Sequence, residues 1–223
     1  MSAISAALLV LLGPPGSGKS TLAETLLSEH SDLGHFAVRR QFVEEKRRQT
    51  DLWLAAADSQ RKGQWLPDEV VIEAFARSLD AQLPAGMLIE GLPANGRQAR
   101  LVLEAVAARN RCVDKVVYLD APDEVCMERM RGRQVCVTCD GGISQAAIAP
   151  ELPDRCARCG CPLGRRVDDE DIAFAERLRL HRLYIGGILE EFDPGRITVI
   201  DGLATRSEIA TAARQSLAEF QPH

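Results

Sequence analysis

A glycine-rich motif near the start of the chain constrains its fold most strongly. Residues 13–20 read Gly-Pro-Pro-Gly-Ser-Gly-Lys-Ser, which fits the phosphate-binding loop pattern of Gly, four variable residues, Gly, Lys and Ser or Thr. An apolar run of strand length precedes the motif at 7–12, and residues 20–30 follow with helical spacing of Leu22 and Leu26. An ordinary glycine-rich turn is the alternative, but all fixed positions and both flanks favour the phosphate-binding loop.

Each part of this loop has an expected role. Its backbone N–H groups, with those at the start of the following helix, are predicted to surround phosphate oxygens of ATP. Lys19 would place a positive charge on the β- and γ-phosphates, and Ser20 would bind Mg²⁺ through its hydroxyl. The candidate nucleotide-binding residues of the loop are Gly13, Pro15, Gly16, Ser17, Gly18, Lys19, Ser20 and Thr21.

Composition and charge exclude several classes of function. The chain has 223 residues with a formal net charge of −5, so it lacks the overall basic character of a nucleic-acid-binding protein. No apolar stretch is long enough to cross a membrane, and no basic residue precedes Lys19 as a signal peptide would require. We therefore expect a cytoplasmic protein without nucleic-acid or membrane partners, and a monomer, since the expected site needs no second chain.

Strand-like and helix-like segments alternate along the chain. Strands are predicted at 7–12, 87–89, 115–119 and 197–200, with a weaker one near 35–38. Helices are predicted at 19–29, 39–49, 68–80, 96–109, 122–132, 169–192 and 206–220. The alternation indicates the α/β class, a three-layer α/β/α fold around a central parallel five-stranded sheet.

A cysteine-rich segment, 134–166, interrupts this alternation and shows little helical or strand periodicity. It carries two Cys-x-x-Cys pairs, Cys136 with Cys139 and Cys156 with Cys159, a pattern typical of a structural Zn²⁺ site. A redox pair, or a site that has lost its metal, is the alternative. Cys161 is a spare thiol or an alternative ligand. Zinc binding would supply folding energy that so small a segment cannot gain from burial.

Taken in order, these motifs and several others resemble the adenylate kinase group of nucleoside monophosphate kinases over residues 7–205. The resemblance rests on 13–20, on 63–71, on Glu90-Gly91-Leu92-Pro93 with Gln98, on Arg129 with Gly132 and Arg133, on the four cysteines, and on 166–169 with Arg177. The cysteine segment matches the zinc-bearing form of that family's lid.

The resemblance implies three parts and a reaction. The P-loop core would comprise 1–36, 67–132 and 168–223, the acceptor-binding region 37–66, and the zinc-binding lid 133–167. The implied reaction moves the γ-phosphoryl group of ATP to a nucleoside monophosphate, AMP being the first choice, with Mg²⁺. The alternatives are an ATP-dependent kinase of a different small-molecule acceptor, a catalytically weak ATP-binding regulator, or a cysteine segment that binds nucleic acid or protein.

On the donor side the family pattern is complete. The resemblance implies catalytic roles for Lys19, Arg133, Arg166 and Arg177, whose charges would stabilise the transferring phosphoryl group. It places Arg129 against the donor adenine and the backbone near Ala204 at the adenine edge. Asp168 and Asp169 would orient the lid arginines. Glu90 matches an aspartate near Mg²⁺-bound water, although its side chain is one methylene longer.

On the acceptor side the chain departs from the family pattern. The family's threonine is Val38 here, and the two arginines that would hold the acceptor phosphate are Val43 and Ala94. Because a buried phosphate needs paired donors, other cations must replace them or the acceptor differs.

The candidate acceptor-binding residues are Arg39, Arg40, Glu90, Gly91, Arg97 and Gln98. The alternative for Arg39 and Arg40 is a solvated helix face. Trp53 and Trp65 would stack on an acceptor or, as the alternative, serve in packing.

Overall fold

A computed structural model of the protein describes residues 7–61, 66–82, 86–140, 142, 145–166 and 169–218. The described strands are β1 (Leu8–Leu12), β2 (Gly34–Ala37), β3 (Met87–Glu90), β4 (Lys115–Asp120), β5 (Ile148–Ala149), β6 (Leu152–Cys156) and β7 (Ile197–Asp201). Five of them form one parallel sheet in the order β2-β3-β1-β4-β7, which confirms the predicted α/β fold class.

The described helices are α1 (Lys19–Glu29), α2 (Val38–Arg48), α3 (Asp51–Arg61), α4 (Asp68–Gln82), α5 (Gly96–Ala107), α6 (Asp123–Arg131), α7 (Val137–Asp140), α8 (Asp171–Leu189) and α9 (Arg206–Ala218). A short 3₁₀ helix, Pro194–Arg196, precedes β7. Every predicted strand and helix is present, with ends shifted by a few residues. None of the helices within the described ranges combines the length and apolar character needed to cross a bilayer.

Two apolar layers cover the sheet. One contains residues of α4, α5 and α8, with Phe36, Phe75 and Ile89 fully buried among them. The other contains residues of α1 and α9 packed against strand residues such as Leu9 and Leu119. β1 is buried along its whole length because it lies in the middle of a sheet covered on both faces.

The register of the strands decides where the functional residues meet. Leu11 of β1 pairs with Glu90 on one side and with Val117 on the other, all near the carboxyl ends of parallel strands. The glycine loop that follows β1 therefore lies at the same edge of the sheet as Glu90. Ligands of open α/β sheets bind at this edge.

Helix α3 is a feature that the sequence analysis does not predict. Its Leu52 and Ala56 are buried in the same apolar layer as Phe42 of α2. Arg77 of α4 holds Asp51 at the start of α3 through a two-point ion pair of 2.9 and 3.1 Å. The α2–α3 hairpin is therefore attached to the core by both apolar and charged contacts.

The cysteine-rich segment has more regular structure than its weak sequence periodicity indicates. It contains the short helix α7 and an antiparallel ribbon of β5 and β6. An isolated bridge between Val135 and Gly164 joins the two ends of the segment. β5 has only two residues, and β6, Leu-Pro-Asp-Arg-Cys, is mostly exposed, so neither leaves the apolar pattern of a buried strand in the sequence.

Candidate active site

The glycine loop adopts a conformation that its glycines alone permit. Gly13 has φ 148°, and a side chain there would overlap the carbonyl oxygen of Leu119 on β4. Gly16 has φ 83°, and a Cβ would lie 2.7 Å from the carbonyl oxygen of Cys126. The loop leads directly into α1, so its N–H groups and the positive end of the helix dipole face one region.

Lys19 spans this loop. Its Nζ donates to the carbonyl oxygens of Gly13 and Pro14, both at 2.7 Å. Burial lowers the pKa of Lys19 to about 8, and the charges of Arg177 and Arg133 add to the decrease, while that of Glu90 opposes it. A bound phosphate would favour the charged ammonium and raise this pKa.

Oxygen ligands suitable for a hard cation lie beside Lys19. The Ser20 hydroxyl donates to Oε1 of Glu90, and His35 Nε2 lies 3.3 Å from Oε2 of the same carboxylate. Burial alone would raise the pKa of Glu90, but the contacts with His35 and Ser20 and the charge of Lys19 outweigh it and hold that pKa below its ordinary value. A hydroxyl and an ionised carboxylate are the kind of ligands that Mg²⁺ takes.

A cavity of about 610 Å³ extends from the glycine loop along α1 and α9. Of the residues predicted for the donor site, it is lined by Gly16, Ser17, Gly18, Lys19, Ser20, Thr21, Arg129, Arg133, Arg166 and Ala204. The Arg129 guanidinium donates to the carbonyl oxygens of Ser17 at 3.2 Å and Gly202 at 2.9 Å. It therefore joins the phosphate end of the cavity to the loop that carries Ala204.

Some lining residues are not among those predicted from the sequence. Thr25, Gln145, Arg206, Ile209 and Ala210 also line this cavity. Gln145 comes from the cysteine-rich segment and the last three from α9 or its start, so only tertiary structure brings them together. A helical period over 206–218 signals a buried face, but it does not reveal which residues face a ligand.

Two arginines contact one buried carboxylate, and a third arginine lies near them. Asp169 is 1% exposed. Its Oδ2 accepts from Arg133 Nε at 2.8 Å, and its Oδ1 accepts from Arg133 Nη2. Arg177 Nη2 lies 3.6 Å from the same Oδ1. Arg166 donates to the Gly142 carbonyl at 2.9 Å, and burial, followed by the charges of Arg133 and Arg39, lowers its pKa to about 9. The three guanidinium groups are therefore close enough for their charges to interact.

A second cavity, of about 250 Å³, lies on the other side of the glycine loop. Among the described residues, two carboxylates line it, Glu24 and Glu90, compared with six cationic side chains. The six are Lys19, Arg39, Arg40, Arg133, Arg166 and Arg177. Gly91 and Val38 also line it. Such an excess of positive charge suits a ligand that carries several negative charges.

Two of the predicted acceptor-binding residues lie apart from this cavity. Arg97 pairs with Asp68 at 3.1 Å and Glu69 at 2.5 Å on α4. Gln98 is 3% exposed; its Oε1 accepts from the Ala94 N–H and its Nε2 donates to Asp68, both at 2.7 Å. Acceptor binding by Arg97 and Gln98 stays a prediction to which these contacts add no support.

Other candidate residues are placed as follows. Trp53 lies on α3 with the Lys46 ammonium 5.3 Å from its ring centroid, which fits a packing role. Trp65 and Asp168 lie outside the described residues, as do 63–64 of the acceptor-region motif.

The four predicted metal ligands come together. The Sγ atoms of Cys136, Cys139, Cys156 and Cys159 all lie within 4.8 Å of one another, and two pairs are 3.5 and 3.6 Å apart. A tetrahedral Zn²⁺ with Zn–S bonds of about 2.3 Å holds its sulfurs about 3.8 Å apart. Backbone N–H groups of Arg158 and Cys159 lower the pKa of Cys156 to about 7, whereas the pKa values of Cys139 and Cys159 are raised in the crowded cluster. A bound cation would favour the thiolate at all four positions. The cluster fits zinc in composition and spacing.

Comparisons with known proteins agree with this geometry. A family model described as Adenylate kinase matches residues 11–195. An adenylate kinase of Clostridium tetani is 30% identical over 203 residues, covering 90% of this chain and 94% of the relative. Adenylate kinases of Caldicellulosiruptor saccharolyticus and Novosphingobium aromaticivorans are 30% and 29% identical, covering 94% of this chain and 96% and 98% of the relatives.

Proposed function

Because the chain belongs to the adenylate kinase family, we propose that it transfers the γ-phosphoryl group of ATP to a nucleoside monophosphate, with AMP as the first-choice acceptor. One observation carries this proposal. The two cavities share part of their lining, namely Gly16, Lys19, Ser20, Arg133 and Arg166. A phosphoryl group at this shared wall would touch donor and acceptor at once, as direct transfer requires.

The residues at the shared wall suit the charge changes of phosphoryl transfer. The reaction needs positioning and neutralisation of spread negative charge more than covalent chemistry. Lys19 and the guanidinium groups of Arg133, Arg166 and Arg177 would supply that charge from fixed positions. Asp169 orients two of these arginines, so little reorganisation is needed when the phosphates arrive.

Two metals belong to the proposal. Ser20 and Glu90 would hold the Mg²⁺ that accompanies ATP, and the ion would neutralise charge on the β- and γ-phosphates. The four cysteines would hold a structural Zn²⁺ that fixes the fold of 133–167. This segment contributes Arg133, Gln145 and Arg166 to the cavity of about 610 Å³, called the donor cavity below. It would therefore act as a lid that excludes water from the transferring group.

The division of the chain into three parts is also part of the proposal. We retain 37–66 as the acceptor-binding region, 133–167 as the lid and 1–36, 67–132 and 168–223 as the core. The cytoplasmic location and the monomeric state stay predictions from the sequence.

A coupled assay of ADP formation from MgATP tests the proposal. It is run with each nucleoside monophosphate and with phosphorylated sugars as acceptors. ADP formation that depends on AMP supports the proposal. ADP formation with another acceptor only would show that the protein is a kinase of a different small molecule. That function is the second candidate, because Val43 and Ala94 replace the family's phosphate-binding arginines. ATP binding without transfer to any acceptor would refute the proposed reaction.

A further inference from the structure

The cavity of about 250 Å³, called the acceptor cavity below, needs cationic partners if it is to hold a phosphate group. Members of this family are expected to hold the acceptor phosphate with two arginines, and this chain has Val43 and Ala94 at those positions. Neither side chain can donate a hydrogen bond, and neither lines the cavity. An acceptor with a phosphate group therefore needs another cation on the side of the cavity away from the ATP-binding residues.

Arg39 lies in the required place. It lines the acceptor cavity from the first turn of α2, which begins at Val38. Like Arg40 and Arg177, it does not line the donor cavity, whereas Arg133 and Arg166 line both. Of the three that line the acceptor cavity alone, Arg177 already faces the Asp169 carboxylate at 3.6 Å. The N-terminal end of α2 adds a favourable field for an anion at the same point.

Electrostatic coupling supports this placement. Desolvation lowers the pKa of Arg39, and the charges of Arg177 and Arg133 lower it further, while the charge of Asp169 opposes them. The residue nevertheless remains exposed to solvent. In turn, the charge of Arg39 contributes to the lowered pKa of Arg166. Arg39 is therefore close enough to the lid arginines to repel them, and a phosphate between them would relieve the repulsion.

We propose that Arg39 binds the phosphate group of the acceptor and replaces the family's arginines at positions 43 and 94. This inference rests on the proposed function and adds the residue that selects acceptors with a terminal phosphate. Arg97 is less suited, because Asp68 and Glu69 already bind it outside the cavity. Arg40 lines the same cavity, so the experiment must separate it from Arg39.

Steady-state kinetics of four variants tests the proposal. KM and kcat for AMP are measured at saturating MgATP for Arg39→Ala, Arg39→Lys, Arg40→Ala and the control Arg47→Ala. Arg47 is on the same helix but 69% exposed and paired with Glu44. Loss of charge-assisted hydrogen bonds should raise the KM for AMP by about 10- to 100-fold in Arg39→Ala. Arg39→Lys should recover part of the loss, because an ammonium cannot donate in the two-point geometry of a guanidinium.

A second pair of measurements tests the residue's location. The KM for MgATP should change less than threefold in Arg39→Ala, because Arg39 is absent from the donor cavity. The double variant Arg39→Ala, Val43→Arg returns a cation to the family position and should lower the KM for AMP again. A KM for AMP within twofold of the wild-type value in Arg39→Ala, or an increase seen in Arg40→Ala instead, would overturn the proposal.

Failure of this inference is distinguishable from failure of the proposed function. If the wild-type protein transfers phosphate to no nucleoside monophosphate, the proposed function is refuted. The role of Arg39 is then tested by AMP binding alone. AMP is then titrated calorimetrically into protein saturated with a non-hydrolysable ATP analogue. An affinity at least tenfold weaker in Arg39→Ala supports the inference. Equal affinity in the two proteins, or no AMP binding by the wild type, contradicts it.

Discussion

The carboxylate of Asp169 offers the sharpest test of how the arginine cluster is held together. Asp169 is 1% exposed, and its partners Arg133 and Arg177 are 17% and 25% exposed. Asp169→Asn keeps the shape of the side chain but removes its charge. Two guanidinium groups would then face each other with little solvent to screen them.

The expected cost follows from this geometry. Breaking a buried ion pair by removing one partner costs about 3–5 kcal/mol, and the residual exposure of the arginines points to the lower end, about 3 kcal/mol. For a chain of this size each kcal/mol shifts Tm by about 2–4 °C, so Tm should fall by about 6–12 °C. MgATP should raise the Tm of the variant at least as much as that of the wild type, because the phosphates replace the missing negative charge.

A matched control is available two residues further along. Asp171 pairs with Arg131 at 2.7 Å, but both side chains are more than half exposed, at 51% and 58%. Asp171→Asn should therefore lower stability by no more than about 1 kcal/mol. Both variants are compared by urea denaturation and thermal unfolding, with and without MgATP. Equal losses in the two variants, or a smaller MgATP effect in Asp169→Asn than in the wild type, would refute the reasoning.

Three further predictions address other parts of the account. Removing zinc with a chelator should lower Tm and kcat together, because the cysteine-rich segment would lose the folding energy that metal binding supplies. Metal analysis finding no zinc in fresh protein would contradict the site. The pKa of Lys19, lowered to about 8 without nucleotide, should rise when phosphate binds, so MgATP binding near pH 9 should be accompanied by proton uptake. Calorimetry in buffers of different ionisation heat measures that uptake, and equal binding heats in all buffers would contradict the prediction. Lys19→Ala should abolish transfer while the circular dichroism spectrum stays native, and unchanged turnover would exclude the assigned role.

Local signals in the sequence were sufficient to predict the sheet and the glycine loop. The glycine loop, its flanking strand and its helix lie within some twenty consecutive residues, so the residue pattern alone fixes them. Arg133, Arg166 and Arg177 could be identified because the resemblance assigns them to motif positions. The structure shows that the Asp169 carboxylate, to which the resemblance assigns an orienting role, contacts two of them, Arg133 and Arg177.

Helix α3 shows where the reading of the sequence was incomplete. Thr50 precedes α3, and its hydroxyl accepts from the Trp53 N–H at 3.2 Å, which is a typical N-cap contact. A Thr followed by Asp51 is therefore a start signal that was present in the sequence. Leu52 and Ala56, one turn apart, give the buried face of a helix whose other positions are mostly polar or small.

The choice among the acceptor-side cations depends on tertiary structure. Arg39, Arg40 and Arg97 are equivalent candidates in the sequence. Asp68 and Glu69, which bind Arg97, are nearly thirty positions away from it along the chain. Only the packing of α4 against α5 brings these acids to Arg97, and only the position of α2 brings Arg39 to the lid arginines.

Transfer of labelled phosphate tests the central claim most directly. The protein is incubated with ATP labelled at the γ-phosphate, Mg²⁺ and AMP, and the label is followed in the separated nucleotides. The account predicts label in ADP made from AMP, with little free phosphate, because the proposed lid would exclude water during transfer. Label that stays in ATP, or appears only as inorganic phosphate, would contradict the account.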